Sequence, residues 1–243
     1  MKLDILAIAA HPDDVELGCA GTLLAQMALG KKVGILDLTR GELGTRGTPE
    51  GRIAEAAEAA GILGITVRDN AGFADGFFQN DENHQRAIIS YIRKYQPEIV
   101  LANAFSDRHP DHGRASELIH ESCFYSGLRM IETRDESGNL QAAWRPKNVF
   151  HFIQDRYIQP DFVVDITSHW EKKVEAMLAF KSQFYIPDVT GNSSEPQSYI
   201  SSPEFLDFIW ARAVEMGHAI GVKYGEGFTS KRQLGVRDLS VFC

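Results

Sequence analysis

The chain has 243 residues, 44% of them hydrophobic and 24% charged. That is an ordinary globular composition, with enough apolar surface for one large α/β domain over 1–243. A formal net charge of −8 argues against a general nucleic-acid or anionic-membrane binder, because both need a positive surface, though it leaves room for a local basic pocket that takes a small anion.

The N-terminus enters a strand over 3–10 with no basic leader before it, and no later run reaches the ~18 apolar residues of a membrane span. The three cysteines, Cys19, Cys123 and Cys243, lie far apart without a CxxC pair. They fit a reducing compartment with neither a disulfide framework nor a thiolate zinc knuckle, and the reading is cytoplasmic. The first strand is rich in Ile, Leu and Ala, as a parallel strand covered on both faces requires. Helical spacing then runs over 15–29 to a stop at Gly30. A second strand over 33–38 leads to an Ala- and Glu-rich helix over 49–63 that ends at Gly61 and Gly64. A short third strand is predicted at 65–68, a helix at 81–95 closed by Pro97, a fourth strand at 98–103 and a helix at 110–129. Residues 132–143 are polar and read as a surface excursion. Strands at 149–154 and 162–166 and a helix at 168–181 follow. The proline- and serine-rich stretch 186–203 reads as a loop and candidate lid. A helix over 203–220 and an irregular tail complete the chain. Alternating strands and helices imply a Rossmann-like, three-layer α/β fold with a mainly parallel sheet and right-handed crossovers. In the common order 3-2-1-4-5 the first and fourth strands are neighbours, and the crevice at their carboxyl ends is where such folds bind ligands.

Two similar corners fall on those strand ends: Ala10-His11-Pro12-Asp13-Asp14, and Arg108-His109-Pro110-Asp111-His112. A dinucleotide site fits the first one badly. Gly18 and Gly21 do not make G-x-G-x-x-G, and Asp13, Asp14 and Glu16 put negative charge where a pyrophosphate needs amide hydrogens. A cation belongs there instead. Proline is well tolerated at the first helical position, so His11 and His109 are predicted N-caps, with Asp14 and His112 at N3 facing back to them. His11, Asp14 and His112 can then converge on one ion, and two imidazoles with a carboxylate suit catalytic zinc, leaving a position for water. Asp13 sits beside that point as the candidate general base. His109 is the candidate for stabilising the oxyanion or protonating the leaving amine, with Asp111 as its orienting carboxylate. The competing reading is that Asp13 and Asp14 only complement a helix dipole. The second corner on the adjoining strand weighs against it.

The two corners resemble those of the LmbE-like (PIG-L-type) zinc-dependent de-N-acetylases, which act on N-acetylglucosamine-containing substrates. The resemblance extends to Leu38-Thr39-Arg40-Gly41-Glu42-Leu43-Gly44-Thr45-Arg46-Gly47-Thr48, Arg52, Asp75-Gly76-Phe77-Phe78 and Tyr224-Gly225-Glu226-Gly227-Phe228. This set is most similar to the bacillithiol-pathway branch, which deacetylates N-acetylglucosaminyl-malate. The resemblance implies zinc on His11, Asp14 and His112, Asp13 as base, His109 assisting, and a homo-oligomer. Some relatives place a mobile tyrosine near the substrate carbonyl. Phe205 falls at that position here, with Tyr199 or Tyr185 as possible replacements. Arg52, Arg108 and Arg46 are candidates for the malate carboxylates, and Asp75 for sugar hydroxyls. Against these stand the readings of Arg40 and Arg46 as solvated loop residues and of Asp75-Gly76 as an ordinary turn. The expected alternatives are another GlcNAc conjugate, chito-oligosaccharide or mycothiol-type, and a non-catalytic metal- or sugar-binding protein.

Overall fold

A computed structural model describes residues 1–186 and 194–239. In chain order the elements are β1 (Ile5–Ala9), α1 (Asp14–Gly18), α2 (Ala20–Ala28), β2 (Val33–Thr39), α3 (Pro49–Leu63), β3 (Arg68–Phe73), α4 (Glu82–Tyr95), β4 (Ile99–Ala102), α5 (Pro110–Tyr125), β5 (Asn148–Phe152), β6 (Phe162–Asp165), α6 (Trp170–Leu178), α7 (Pro203–Ala219) and β7 (Gly225–Thr229). The strands form one sheet in the order β3-β2-β1-β4-β5-β7-β6. The first five in that order pair in parallel, whereas β7 runs antiparallel to both β5 and β6.

Side chains alternate across β1, and the two sets enter different cores. Leu6 and Ile8 pack with Leu36, Leu38, Ile88, Ile92, Leu118 and Ile119 on the α4–α5 face. Ile5, Ala7 and Ala9 pack with Leu23, Ile35, Ala176 and Phe228 on the α2–α6 face. Both faces of the sheet are therefore covered, giving three layers. No helix among the described residues is long and apolar enough to cross a membrane. Cys19 and Cys123 are free and buried. Cys243 and residues 187–193 of the predicted lid loop lie outside the described residues.

Several boundaries differ from the expected ones. The helix predicted over 15–29 is two helices, broken at Cys19 (φ −151°). Gly18 lies so close to Phe152 that a Cβ there would sit 2.2 Å from its ring. The second helix restarts with its own anion: the Glu226 carboxylate accepts the Gly21 and Thr22 N–H groups at 3.0 and 2.6 Å. The third strand is Arg68–Phe73 rather than 65–68. Ile65 and Val67 are buried in the connection that follows the left-handed Gly64, while Arg68 enters the sheet bonded to both carboxylate oxygens of Asp37. The tail predicted to be irregular holds β7. Its Gly-Glu-Gly start gives no alternating pattern, because Gly225 packs against Val163 and the backbone of Met216 and Gly217.

Candidate active site

β1 and β4 are hydrogen-bonded neighbours, so both His-Pro-Asp corners open at one edge of the sheet. Asn103, just past β4, braces them: its Oδ1 accepts the Ala10 N–H at 2.9 Å, and its Nδ2 donates to Asp14 at 3.0 Å and to Gln154 at 2.8 Å.

The two corners are not copies. His109 caps α5 as expected, with Pro110 at the first position; its Nδ1 accepts the Asp111 N–H at 3.2 Å. In the first corner the helix begins only at Asp14, and the cap position falls on Asp13 (φ 118°) rather than His11. The capping direction is reversed as well, because the His11 N–H donates to Asp14 Oδ2 at 3.0 Å. A left-handed non-glycine residue costs on the order of 1–3 kcal/mol and persists where its surroundings over-determine it. Here they do: Asp13 is buried, and Arg52 Nη2 lies 3.1 Å from its carboxylate.

Three imidazoles meet in front of this corner. His11, His109 and His112 bring nitrogen atoms within 4.8 Å of one another. The Asp14 carboxylate is shared between two of them, with Oδ1 3.1 Å from His112 Nε2 and Oδ2 3.6 Å from His11 Nδ1. These separations are close to the ~3.3 Å between two ligands on a tetrahedral ion with bonds of ~2.0 Å. His112 supplies a second test. Its Nδ1 donates to Asp107 at 2.6 Å, so both ring nitrogens face carboxylates. A neutral imidazole would turn a lone pair on one of them; an imidazolium or a cation-bound imidazole would not. The donor set therefore fits a divalent metal.

Burial lowers the His112 pKa, but Asp14 and Asp107 outweigh it and push the value up to about 9. Burial raises Asp14, yet His112 and His11 hold its carboxyl well below the usual range. Burial pushes Asp13 up to about 7 against the pull of Arg52. His109 is lowered by burial and by its two imidazole neighbours.

These groups line a cavity of about 300 Å³ whose wall includes Leu17, Leu43, Phe205 and Ile209. Of the residues expected to bind substrate, Arg108 and Asp75 line it, and so does Arg52. Arg52 is buried, and its Nη2 holds Asp13 and the Pro12 carbonyl. Arg46 lies elsewhere. Its guanidinium is spent on the carbonyls of Ser182, Glu195 and Pro196, because the glycine loop folds back onto those segments. Asp75 bonds His11 Nε2 at 3.0 Å through one oxygen and the Leu43 N–H at 2.9 Å through the other. The Asp111 carboxylate does not orient His109. It contacts His11, the Gly76 N–H and Arg114, and only its backbone amide meets the His109 ring. Phe205 is buried in the cavity wall; Tyr199 stacks edge-on against it at 5.4 Å, and Arg108 lies 4.2 Å above the Tyr199 ring. Neither Tyr199 nor Tyr185 lines the cavity.

Asp107, Asn103 and Gln154 escaped the sequence reading. Asp107 stands two residues before His109 in Ser106-Asp107-Arg108-His109, a signal that could have been followed. Gln154 reaches Asp14 at 2.8 Å from just past β5, and no local pattern marks it.

Residues 6–123 match the family model described as PIG-L, GlcNAc-PI de-N-acetylase. A conserved protein of Thermus thermophilus, TT1542, has a solved structure similar to this one at a TM-score of 0.81, with 35% identity over 97% of this chain and 98% of that one. The diacetylchitobiose deacetylase of Thermococcus kodakarensis is 28% identical over 92% of this chain and 81% of its own. The 4-oxalmesaconate hydratase of Pseudomonas putida is 25% identical over 74% of each. Both His-Pro-Asp corners fall within the matched span, over which the chain is similar to the PIG-L (LmbE-like) deacetylase family.

Proposed function

We propose that the protein is a zinc-dependent N-deacetylase that hydrolyses the acetamide of an N-acetylglucosamine conjugate, releasing acetate and the free amine. The observation that supports this reading is the Asp14 carboxylate set between His11 and His112, one oxygen towards each, with a buried carboxylate, Asp13, beside it. His11, Asp14 and His112 would hold the metal. When bound, zinc supplies a Lewis acid for the acetamide carbonyl and brings the pKa of a water towards ~7.

The chain's own residues supply the rest. Asp13, held by Arg52, takes the proton of the attacking water. His109 spends Nδ1 on the Asp111 N–H, which leaves the ring proton on Nε2. From there it can hydrogen-bond the developing oxyanion, and the proton that Asp13 took from the water is passed on to the departing amine nitrogen. With no tyrosine in the cavity wall among the described residues, His109 carries the oxyanion role without a phenol.

For the aglycone, Arg108 supports N-acetylglucosaminyl-malate. Its side chain is 44% exposed, and it stands at the cavity without a catalytic partner. Asp155, 3.5 Å from Arg108, favours the opposing reading of a neutral aglycone such as a second sugar. The hydratase among the relatives adds a third outcome, water addition to an unsaturated dicarboxylate.

The test is acetate release by the zinc-loaded protein from N-acetylglucosaminyl-malate, diacetylchitobiose and an inositol-linked N-acetylglucosamine, beside a hydration assay on 4-oxalmesaconate. Acetate release with a kcat/KM at least about tenfold higher on the malate conjugate is expected, the worth of one charge-assisted contact. Similar constants on all three sugars would move the assignment to a neutral conjugate. Binding without acetate release would make the protein a metal- or sugar-binding one, and hydration without deacetylation would overturn the reaction class.

A further inference from the structure

His11 is gripped on its outer edge by two carboxylates. Its Nε2 lies 3.0 Å from Asp75 Oδ1 and 3.3 Å from Asp111 Oδ2, while Nδ1 faces Asp14 at 3.6 Å. Both carboxylates are anchored in turn. Asp75 Oδ2 accepts the Leu43 N–H at 2.9 Å, and the Asp75 N–H donates to Glu42 at 2.9 Å. Asp111 Oδ2 accepts the Gly76 N–H at 2.9 Å, and Oδ1 accepts from Arg114 at 2.6 Å; Arg114 also reaches the Gly76 carbonyl at 3.0 Å. Asp75 is 6% exposed and Asp111 fully buried. A bonded pair of anions this enclosed does not drift. It holds a proton on His11 Nε2, and with a metal bound the Nδ1 lone pair, on the Asp14 side, would be the one left for the ion.

We propose that Asp75, together with Asp111, is a positioning residue that fixes the tautomer of His11 and sets the affinity of the site for its metal. The inference rests on the metal reading of the preceding section and gives Asp75 a different task from binding sugar hydroxyls. A carboxylate on the outer nitrogen of a ligating imidazole raises its basicity and holds its plane, and losing such a partner typically costs ~10–100-fold in metal affinity. Asp75 also joins His11 to the 42–43 segment. Leu43 forms part of the cavity wall, so one side chain links the substrate wall to a metal ligand.

The experiment measures zinc affinity by chelator competition on the full chain, with no substrate present, for wild type, Asp75→Ala, Asp75→Asn and His11→Ala. Asp75→Asn keeps the shape and one acceptor oxygen while exchanging the other for an NH2 donor and removing the charge, which guards against loss of fold in the alanine variant. The expected result is roughly tenfold weaker zinc binding in Asp75→Asn and up to roughly a hundredfold in Asp75→Ala, with KM for diacetylchitobiose little changed at saturating zinc. Wild-type zinc affinity in both Asp75 variants, with KM raised, would give Asp75 to the sugar and overturn the proposal alone. Zinc binding indifferent to His11→Ala would overturn both the proposal and the metal reading.

Discussion

In the proposed reaction the chemistry turns on Asp13, which combines a left-handed backbone, burial and an arginine partner. The proposed ligand role falls to its neighbour Asp14, whose oxygens take His112, Asn103, Gln154 and the His11 amide. Asp13→Asn is therefore expected to retain zinc stoichiometrically while kcat falls by roughly 10²–10⁴, the usual worth of general acid–base catalysis. Metal content and kcat measured on the same preparation decide it, since loss of the metal would make Asp13 a ligand. At this scale the sequence was informative where the chemistry is local. His11, Asp13, Asp14, His109 and His112 sit within two short stretches, and the structure brings them to one cavity. Arg52, Arg46, Asp75 and Asp111 are bound up in contacts that short sequence stretches do not show. Their residue types suit a ligand, but each found a partner far away in sequence, and only packing reveals which partner that is.

Among the elements, β7 shows how a motif-like phrase can be architectural. Glu226 enters the sheet with 4% side-chain exposure and meets Lys173 of α6, equally buried, at 2.5 Å. It also satisfies two amides at the start of α2. Three elements thus share one carboxylate. Removing it leaves a buried ammonium and two orphaned N–H groups, and breaking a buried pair on one side typically costs about 3–5 kcal/mol. Glu226→Ala should lose about that much stability in urea unfolding; a loss below about 1 kcal/mol would show that water replaces the carboxylate. The parallel core of the sheet was legible because β1, β2 and β4 carry continuous apolar runs. The break at Cys19 and the strand at Gly225–Thr229 were not. Both are set by close approaches, of Phe152 to Gly18 and of α7 to Gly225, which no periodicity records.

Over the whole molecule, charge acts at two ranges that oppose one another for an anionic substrate. The chain carries a net −8, which repels a dicarboxylate at a distance but only within about a Debye length, ~8 Å at physiological salt. Within the cavity the carboxylates of Asp13, Asp14, Asp75 and Asp107 are each matched by Arg52 or a histidine. Arg108, held by Asp155 and lying over Tyr199, is the remaining arginine of the cavity lining among the described residues. If a substrate carboxylate exchanges with Asp155 there, the contact contributes about 1.5–3 kcal/mol, and each 1.4 kcal/mol is about tenfold. Arg108→Ala should then lower kcat/KM for N-acetylglucosaminyl-malate by about tenfold or more and leave diacetylchitobiose within about twofold. Raising the salt should recover part of the loss in the variant, since screening weakens the long-range repulsion that the arginine no longer offsets. The measurement is the pair of specificity constants at low and high ionic strength for both proteins. An equal fall on both substrates would assign Arg108 to the stacking of Tyr199 on the cavity wall, and the aglycone would then be a neutral one.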